Sequence, residues 1–351
     1  MTQRITFGLD TFGDVTRSPD GDDLLPYDQV IRNIVAEGVL ADEVGIDVFG
    51  IGEHHRDDFA VSAPDVVLTA IAATTRNIHL TTSVIVLSSD DPVRVFERFS
   101  TLQAISDGRA EMTLGRGSFT ESFPLFGYDL QNYEQLFEEK LDLMRTILDA
   151  DAADEPVTWH RGSLRPGLDH QRLYPTLATP LPVWVAVGGS PESVVRAARH
   201  RFPLMLAVIG GAARRFRPFV DLYRRANDEF GQPQLPVGIH SPGLIAPTDD
   251  AAQERLFEEW MAGQRRIGAE RGWPAPTMEQ FTREITHGAL YVGSPDTVAA
   301  KIADTITALD LDRFVLKYAN GPVAHEHNLE TIRLYGEEVI PRVRRILDQR
   351  S

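Results

Sequence analysis

The chain has 351 residues, 42% hydrophobic and 25% charged, which excludes disorder and collagen and leaves room for one large domain or two small ones. With 35 Lys+Arg against 51 Asp+Glu the formal net charge is −16, a field that makes nucleic acid and membrane surfaces poor partners. There is no cysteine, so disulfides, thiolate zinc sites, iron–sulfur clusters and cysteine nucleophiles are ruled out.

Polar residues interrupt the N-terminal apolar run, and no later stretch approaches the roughly 20 apolar residues of a spanning helix, so a soluble, cytoplasmic protein is expected. Residues 6–9 read as a first strand. Asp10, Thr11 and Phe12 at its end either line a substrate side or simply cap the strand. Val30, Ile31, Ile34, Val35, Val39, Leu40 and Val44 then recur along one helical face, the crossover to a second strand at 48–51. That strand runs into Gly52-Glu53-His54-His55-Arg56, an acid, two imidazoles and a base in one turn. Imidazole titrates near neutrality and is a natural proton shuttle, although a polar surface loop uses the same residues. Ser62-Ala63-Pro64-Asp65 predicts a capping box for the next helix.

Residues 80–86 form the third strand, and the hydroxyls of Thr81, Thr82 and Ser83 in it have an ordinary use as backbone partners. Asp91-Pro92 starts a helix with proline in its first turn. The fourth strand, 111–114, ends in Gly115-Arg116-Gly117-Ser118, where a planar guanidinium between glycines suits a phosphate or carboxylate, or else marks a tight turn. Residues 149–182 and 247–289 exceed minimal connections and are predicted to shape substrate access. The fifth strand, 183–187, leads into Gly188-Gly189-Ser190-Pro191-Glu192-Ser193. Unpaired N–H groups of a glycine turn at a helix start make an anion site if Glu192 points outward, and a plain cap otherwise. Strands at 204–208, 237–239 and 313–316 complete the set, and Gly293-Ser294-Pro295-Asp296-Thr297 is a second turn that binds an anion or merely caps. Neither Glu53-His54-His55 nor His325-Glu326-His327 has the spacing of a zinc helix motif, so no metal is expected.

Eight strand–helix alternations without a Gly/Ser-rich linker argue for an α/β fold closed as one (β/α)8 TIM barrel, with long insertions at its loops, over two doubly wound domains. The whole chain, 1–351, is then a single domain with its chemistry at the C-terminal strand ends.

The ordered set Gly52-Glu53-His54-His55, Val84-Ile85-Val86-Leu87 with Pro92-Val93-Arg94, Gly108-Arg109 and Gly115-Arg116-Gly117 resembles the bacterial luciferase-like family of flavin-dependent monooxygenases. The likeness is dense over 45–127 and 182–211. It implies a barrel that binds reduced FMN, with the phosphate near Arg116 and the turn of Gly188, Gly189, Ser190 and Ser193, and the isoalloxazine across the mouth near Ile209. It implies a non-proline cis peptide at Thr82 and Ser83, His54 as the catalytic histidine with Glu53 as its acidic neighbour, and Asp10, Phe12 and His55 toward the substrate. The chain departs from luciferases where Gly115 replaces a reactive thiol and Val208-Ile209 replaces a tryptophan, so neither light emission nor a long-chain aldehyde substrate is implied.

The resemblance implies that reduced FMN from a separate flavin reductase, together with O2, oxidises a small organic substrate. Rival readings are F420-dependent hydride transfer on the same fold, which the net charge of −16 does not favour, a flavin-binding protein without turnover, and a phosphate-binding barrel lyase or isomerase. Homodimers are expected through the segments 62–74 and 92–104, with Ala63, Ala70, Ala72, Ala73 and Phe96 at the contact.

Overall fold

The structure is a computed structural model that describes residues 5–18, 23–117 and 119–350, so Ser118 of the fourth turn lies outside the described residues. The strands among them are Thr6–Thr11 (β1), Val48–Ile51 (β2), His79–Thr82 (β3), Ile85–Val86 (β4), Met112–Gly115 (β5), Val157–Trp159 (β6), Leu168–Gln171 (β7), Val183–Val187 (β8), Leu204–Ala207 (β9), Val237–Ile245 (β10), Tyr291–Gly293 (β11) and Arg313–Lys317 (β12). The main sheet runs β3-β2-β1-β12-β10-β9-β8-β5-β4 with every pairing parallel. Since β3 and β4 are successive pieces of the third predicted strand, the path returns to its start and the sheet is a nearly closed α/β barrel.

The predicted third strand is thus corrected: 80–86 does not run through but steps between Thr82 and Ile85. Below the step, Leu80 bridges Ala110, and above it Ile85 and Val86 pair with Leu114 and Gly115. At the step the Thr82 hydroxyl donates to the Thr113 carbonyl at 2.9 Å and accepts the Thr113 N–H at 3.1 Å, substituting for strand pairing. The seventh strand is also longer than predicted, because residues 243–245 continue it to pair with β11.

Strand alternation sorts the residues into two sets. Phe7, Leu9, Leu204, Leu206, Phe314 and Leu316 are buried in the main apolar core beneath the surrounding helices. The opposite set mixes Trp184, Met205 and Val315 with small and polar residues, and glycines make room in the narrow interior: a Cβ on Gly8 would lie 3.2 Å from Val315 Cγ2, and one on Gly238 would lie 2.9 Å from Met205 Cε. At the N-terminal end of the barrel Arg313 grips Glu111 at 2.6 and 3.2 Å with its guanidinium 4.4 Å from the Trp184 ring. Burial alone raises the Glu111 carboxyl, but Arg313 and His79 overcome it and hold the pKa down at about 2.

The first helix, Tyr27–Glu43, buries Val30, Ile34, Gly38 and Ala41, and Gly38 is needed where the Ile71 side chain of the next helix would sit 2.6 Å from any Cβ. That next helix, Pro64–Thr74, corrects the expected capping box, since its N-cap is Ala63 and no side chain caps it. Asp91 and Ser190 do cap their helices, each accepting backbone N–H groups of the first turn.

The two insertions differ. Residues 149–182 contain the β6–β7 hairpin, which lies along the helix Tyr133–Ala152 through Trp159 Nε1 to Asp142 at 2.7 Å and reaches Asp91 through Arg165 at 2.8 Å. Residues 247–289 contain the helices Asp249–Arg271 and Met278–Thr286, and the first ends beside the second-strand turn. Among the described residues no helix is long and apolar enough to cross a membrane.

Replacing Glu111 by Ala strands the Arg313 charge and is expected to cost about 3–5 kcal/mol. The denaturant midpoint measures this, and a shift no larger than that of an exposed Glu→Ala control contradicts it.

Candidate active site

Three strands meet at the floor of the C-terminal mouth. Asp10 on β1 is wholly buried, and its Oδ2 accepts from Ser83 Oγ and lies 2.6 Å from Nδ1 of His240 on β10. Asp10 Oδ1 and His240 Nε2 have no partner. Thr82 points to the other face of its strand with its hydroxyl spent on Thr113, so of the two expected hydroxyls only Ser83 belongs to the mouth. The non-proline cis peptide joins Ser83 and Val84, one residue beyond the expected pair, because Thr82 is still held in the extended strand.

The second-strand turn splits its four polar residues between two directions. His54 lies among rings, 4.2 Å from Phe59, 4.8 Å from Phe12 and 5.6 Å from Phe119 between centroids, with its Nε2 unpartnered. Burial, with Lys317, His55 and Arg56 nearby, pushes its pKa down to about 3, so the imidazole is neutral at any working pH. Glu53 turns away: Oε2 accepts the Val86 N–H at 3.0 Å and Oε1 lies 3.0 Å from His55 Nε2. His55 packs edge-on against Phe126 at 5.2 Å, so Glu53 and His55 brace the turn against β4 while His54 and Phe12 stand together. Arg56 ties the turn to Glu121 at 2.6 Å and to Glu270 of the long helix at 2.7 Å. The expected role of the second insertion at the mouth rests on that contact.

A second polar cluster forms around the turn that follows β8. Arg116 pairs with Glu134, and Arg196 reaches the same carboxylate at 3.0 Å. Arg196 Nη1 also lies 3.4 Å from Ser193 Oγ, which in turn accepts from Ser190 Oγ at 2.9 Å, so Arg116 and the Gly188–Ser193 turn are one cluster. Gly189 has φ 110°, a Cβ on Gly188 would meet nothing within 4 Å, and Glu192 is exposed, as an anion cradle requires. Ile209, just past β9, is 62% exposed. The other candidate turn is filled: Asp249 accepts the Ser294 N–H at 2.6 Å and the Thr297 hydroxyl at 2.9 Å, so it is a cap.

Sequence reasoning missed His240, Lys317, Glu134 and Arg196. His240 follows the predicted end of the seventh strand by one residue, and the rule that chemistry sits at strand ends was signal enough. Lys317 lies 4.7 Å from the Phe12 ring and is bound to Asp14 at 2.9 Å. Glu134 and Arg196 lie on separate helices, and nothing local marks their meeting. Arg109, part of the resemblance, is spent on backbone carbonyls of Ala72, Thr75, Ile78 and Ser106. His325 is held by Glu37 at 2.8 Å, and among the described residues no group of three or more His, Cys, Asp or Glu is placed for a metal.

The depressed His54 pKa makes a stability prediction. Below pH 6.5 the unfolded chain takes a proton that the native ring refuses, so this contribution is full above 6.5 and drains away as pH falls toward about 3. His54→Gln should therefore show a smaller fall in Tm than wild type between pH 7.5 and 5, and parallel curves would contradict the assignment.

A family model described as luciferase-like monooxygenase matches residues 11–311. The chain is 30% identical to N-acetyl-S-alkylcysteine monooxygenase of Bacillus subtilis (strain 168) over 230 residues, 64% of this chain and 63% of that protein. Its fold is similar to that of the monooxygenase RslO1 from Streptomyces bottropensis, with a TM-score of 0.81 at 22% identity, covering 96% of this chain and 99% of that one. It is likewise similar to the oxygenating constituent of 3,6-diketocamphane monooxygenase from Pseudomonas putida, solved in complex with FMN, with a TM-score of 0.75 at 19% identity over 97% and 98% of the two chains. With a family match running from the end of β1 nearly to β12, this chain belongs to the luciferase-like monooxygenase family.

Proposed function

We propose that the chain is an FMN-dependent monooxygenase that receives reduced FMN from a separate reductase and oxidises a small organic substrate with O2. The observation that carries this reading is the convergence of Arg116 and Arg196 on one carboxylate beside the glycine turn. Glu134 stands there as an internal anion, and two guanidiniums with a helix N-terminus suit a phosphate dianion in its stead. Ser190 and Ser193 supply hydroxyls, the open space at Gly188 leaves the backbone accessible, and exposed Ile209 offers an apolar edge to a flavin ring. The unpartnered Nε2 of His54 and Oδ1 of Asp10 mark polar positions still to be met by a ligand.

Bound reduced flavin supplies two electrons to O2, so that one oxygen atom enters the substrate and the other leaves as water. The chain's own work is to hold the phosphate, to exclude water with Phe12, Phe59 and Phe119, and to present a neutral imidazole. A ring whose pKa is pushed down to about 3 is not the imidazolium at neutral pH, so His54 serves as a hydrogen-bond partner through Nε2 and not as an imidazolium acid. Glu53 positions it by fixing the turn to Val86.

Homodimers would form through the outer faces of Pro64–Thr74 and Pro92–Ile105, where Ala63, Val66, Ala70, Ala73 and Ile105 are exposed. Ala72 and Phe96, expected at that contact, face the core instead. A monomer in light scattering at micromolar concentration contradicts the pairing.

Arg116→Ala removes a charged hydrogen bond to phosphate, worth about 1.5–3 kcal/mol, and should weaken FMN binding roughly 10- to 150-fold while leaving riboflavin binding unchanged. Flavin fluorescence quenching measures both. An equal loss for the two flavins, or binding of F420 in place of FMN, overturns the reading. His54→Ala should lower product formed per reduced flavin far more than it weakens FMN binding, and equal losses would contradict its role.

A further inference from the structure

The buried pair at the floor of the mouth has no acid–base part in the chemistry above. Asp10 and His240 are joined at 2.6 Å, both are buried, and each keeps one polar atom, Oδ1 and Nε2, without a partner. Removing a carboxylate from water costs several kcal/mol, and unpaired buried polar atoms add to it. A floor that served packing alone would be cheaper with apolar residues.

The tautomer that donates Nδ1–H to the Asp10 carboxylate leaves Nε2 as a lone-pair acceptor. His54, whose pKa lies at about 3, holds a proton poorly at neutral pH, so a substrate that must lose one needs another base. The walls beside the pair are aromatic: Phe12 stacks on His240 at 5.5 Å with an interplanar angle of 10°, and Phe59 lies 6.2 Å beyond Phe12. Ser83 fixes the same Asp10 oxygen from the third strand, so the carboxylate is oriented from two sides.

We propose that Asp10 and His240 form a second acid–base pair of this site, in which His240 Nε2 takes the proton of a phenolic substrate seated among Phe12, Phe59 and Phe119. In this step the phenol O–H bond breaks, an N–H bond forms on Nε2, and the electron pair stays on oxygen. Asp10, a positioning residue, holds the ring and stabilises the imidazolium that results. The phenolate is richer in electrons at its ring carbons than the phenol, which suits it to take up the oxygen atom that O2 and reduced flavin supply. The proposal rests on the monooxygenase reading and names its substrate class.

The test uses 4-fluorophenol as probe, followed by 19F NMR at pH 7 with oxidised FMN present, while flavin fluorescence quenching reports FMN binding separately. Wild type should show a bound resonance displaced toward the phenolate position. His240→Gln should abolish that displacement and weaken 4-fluorophenol binding at least tenfold, with FMN quenching unchanged. Asp10→Asn should reduce the displacement, and circular dichroism confirms that each variant is folded. A bound resonance at the neutral-phenol position in wild type, an undiminished displacement in His240→Gln, or no bound resonance in a protein that quenches FMN overturns the proposal. Failure of wild type to bind FMN in either redox state overturns the monooxygenase reading, and this inference with it.

Discussion

The structure depends on how its barrel closes. Its parallel sheet is interrupted where the third strand steps between Thr82 and Ile85. A single hydroxyl, that of Thr82, satisfies both the N–H and the carbonyl of Thr113 across the step. That closure delivers Ser83 to the Asp10 carboxylate. It also brings Val84 so near Gly115 that a Cβ there would lie 2.5 Å from Val84 Cγ2, and Glu53 N bonds the Val84 carbonyl at 3.2 Å. The position where luciferases carry a thiol is therefore closed by packing, and the mouth is assembled around the step.

The mouth separates its charges by environment. Rings around His54 keep it neutral, while the guanidiniums of Arg116 and Arg196 sit at the opposite side with an exposed carboxylate between them. A net charge of −16 surrounds this corner, where Glu134 and Glu138 already pair with Arg116 and Arg196, so the proposed anion binding would rely on local geometry and not on the overall field. The apolar side, by contrast, is suited to a substrate without charge.

Much of the fold was legible because strand–helix alternation is a period visible over the whole chain, and helix starts such as Asp91-Pro92 and Ser190-Pro191 carry their own capping chemistry. The step in strand three was hidden because β-branched residues continue through it without a glycine or proline to mark it. Ser62 read as a cap for local reasons, but its neighbour Ala63 takes the cap position of the helix, while the Ser294 turn, open between anion site and cap, is decided by Asp249, which fills it from the long helix. The second-strand turn was legible as polar, but not that Glu53 and His55 would turn from His54. The Asp10–His240 pair joins residues 230 apart in the chain, and no spacing announces it.

The most direct test of the central claim, that these strand ends build a flavin site, is an anaerobic titration of the protein with reduced FMN, followed by an oxygen pulse under continuous absorption recording. The account predicts saturable binding at one FMN per chain and oxidation kinetics distinct from those of free reduced FMN. No saturable binding, with F420 binding in its place, would contradict it.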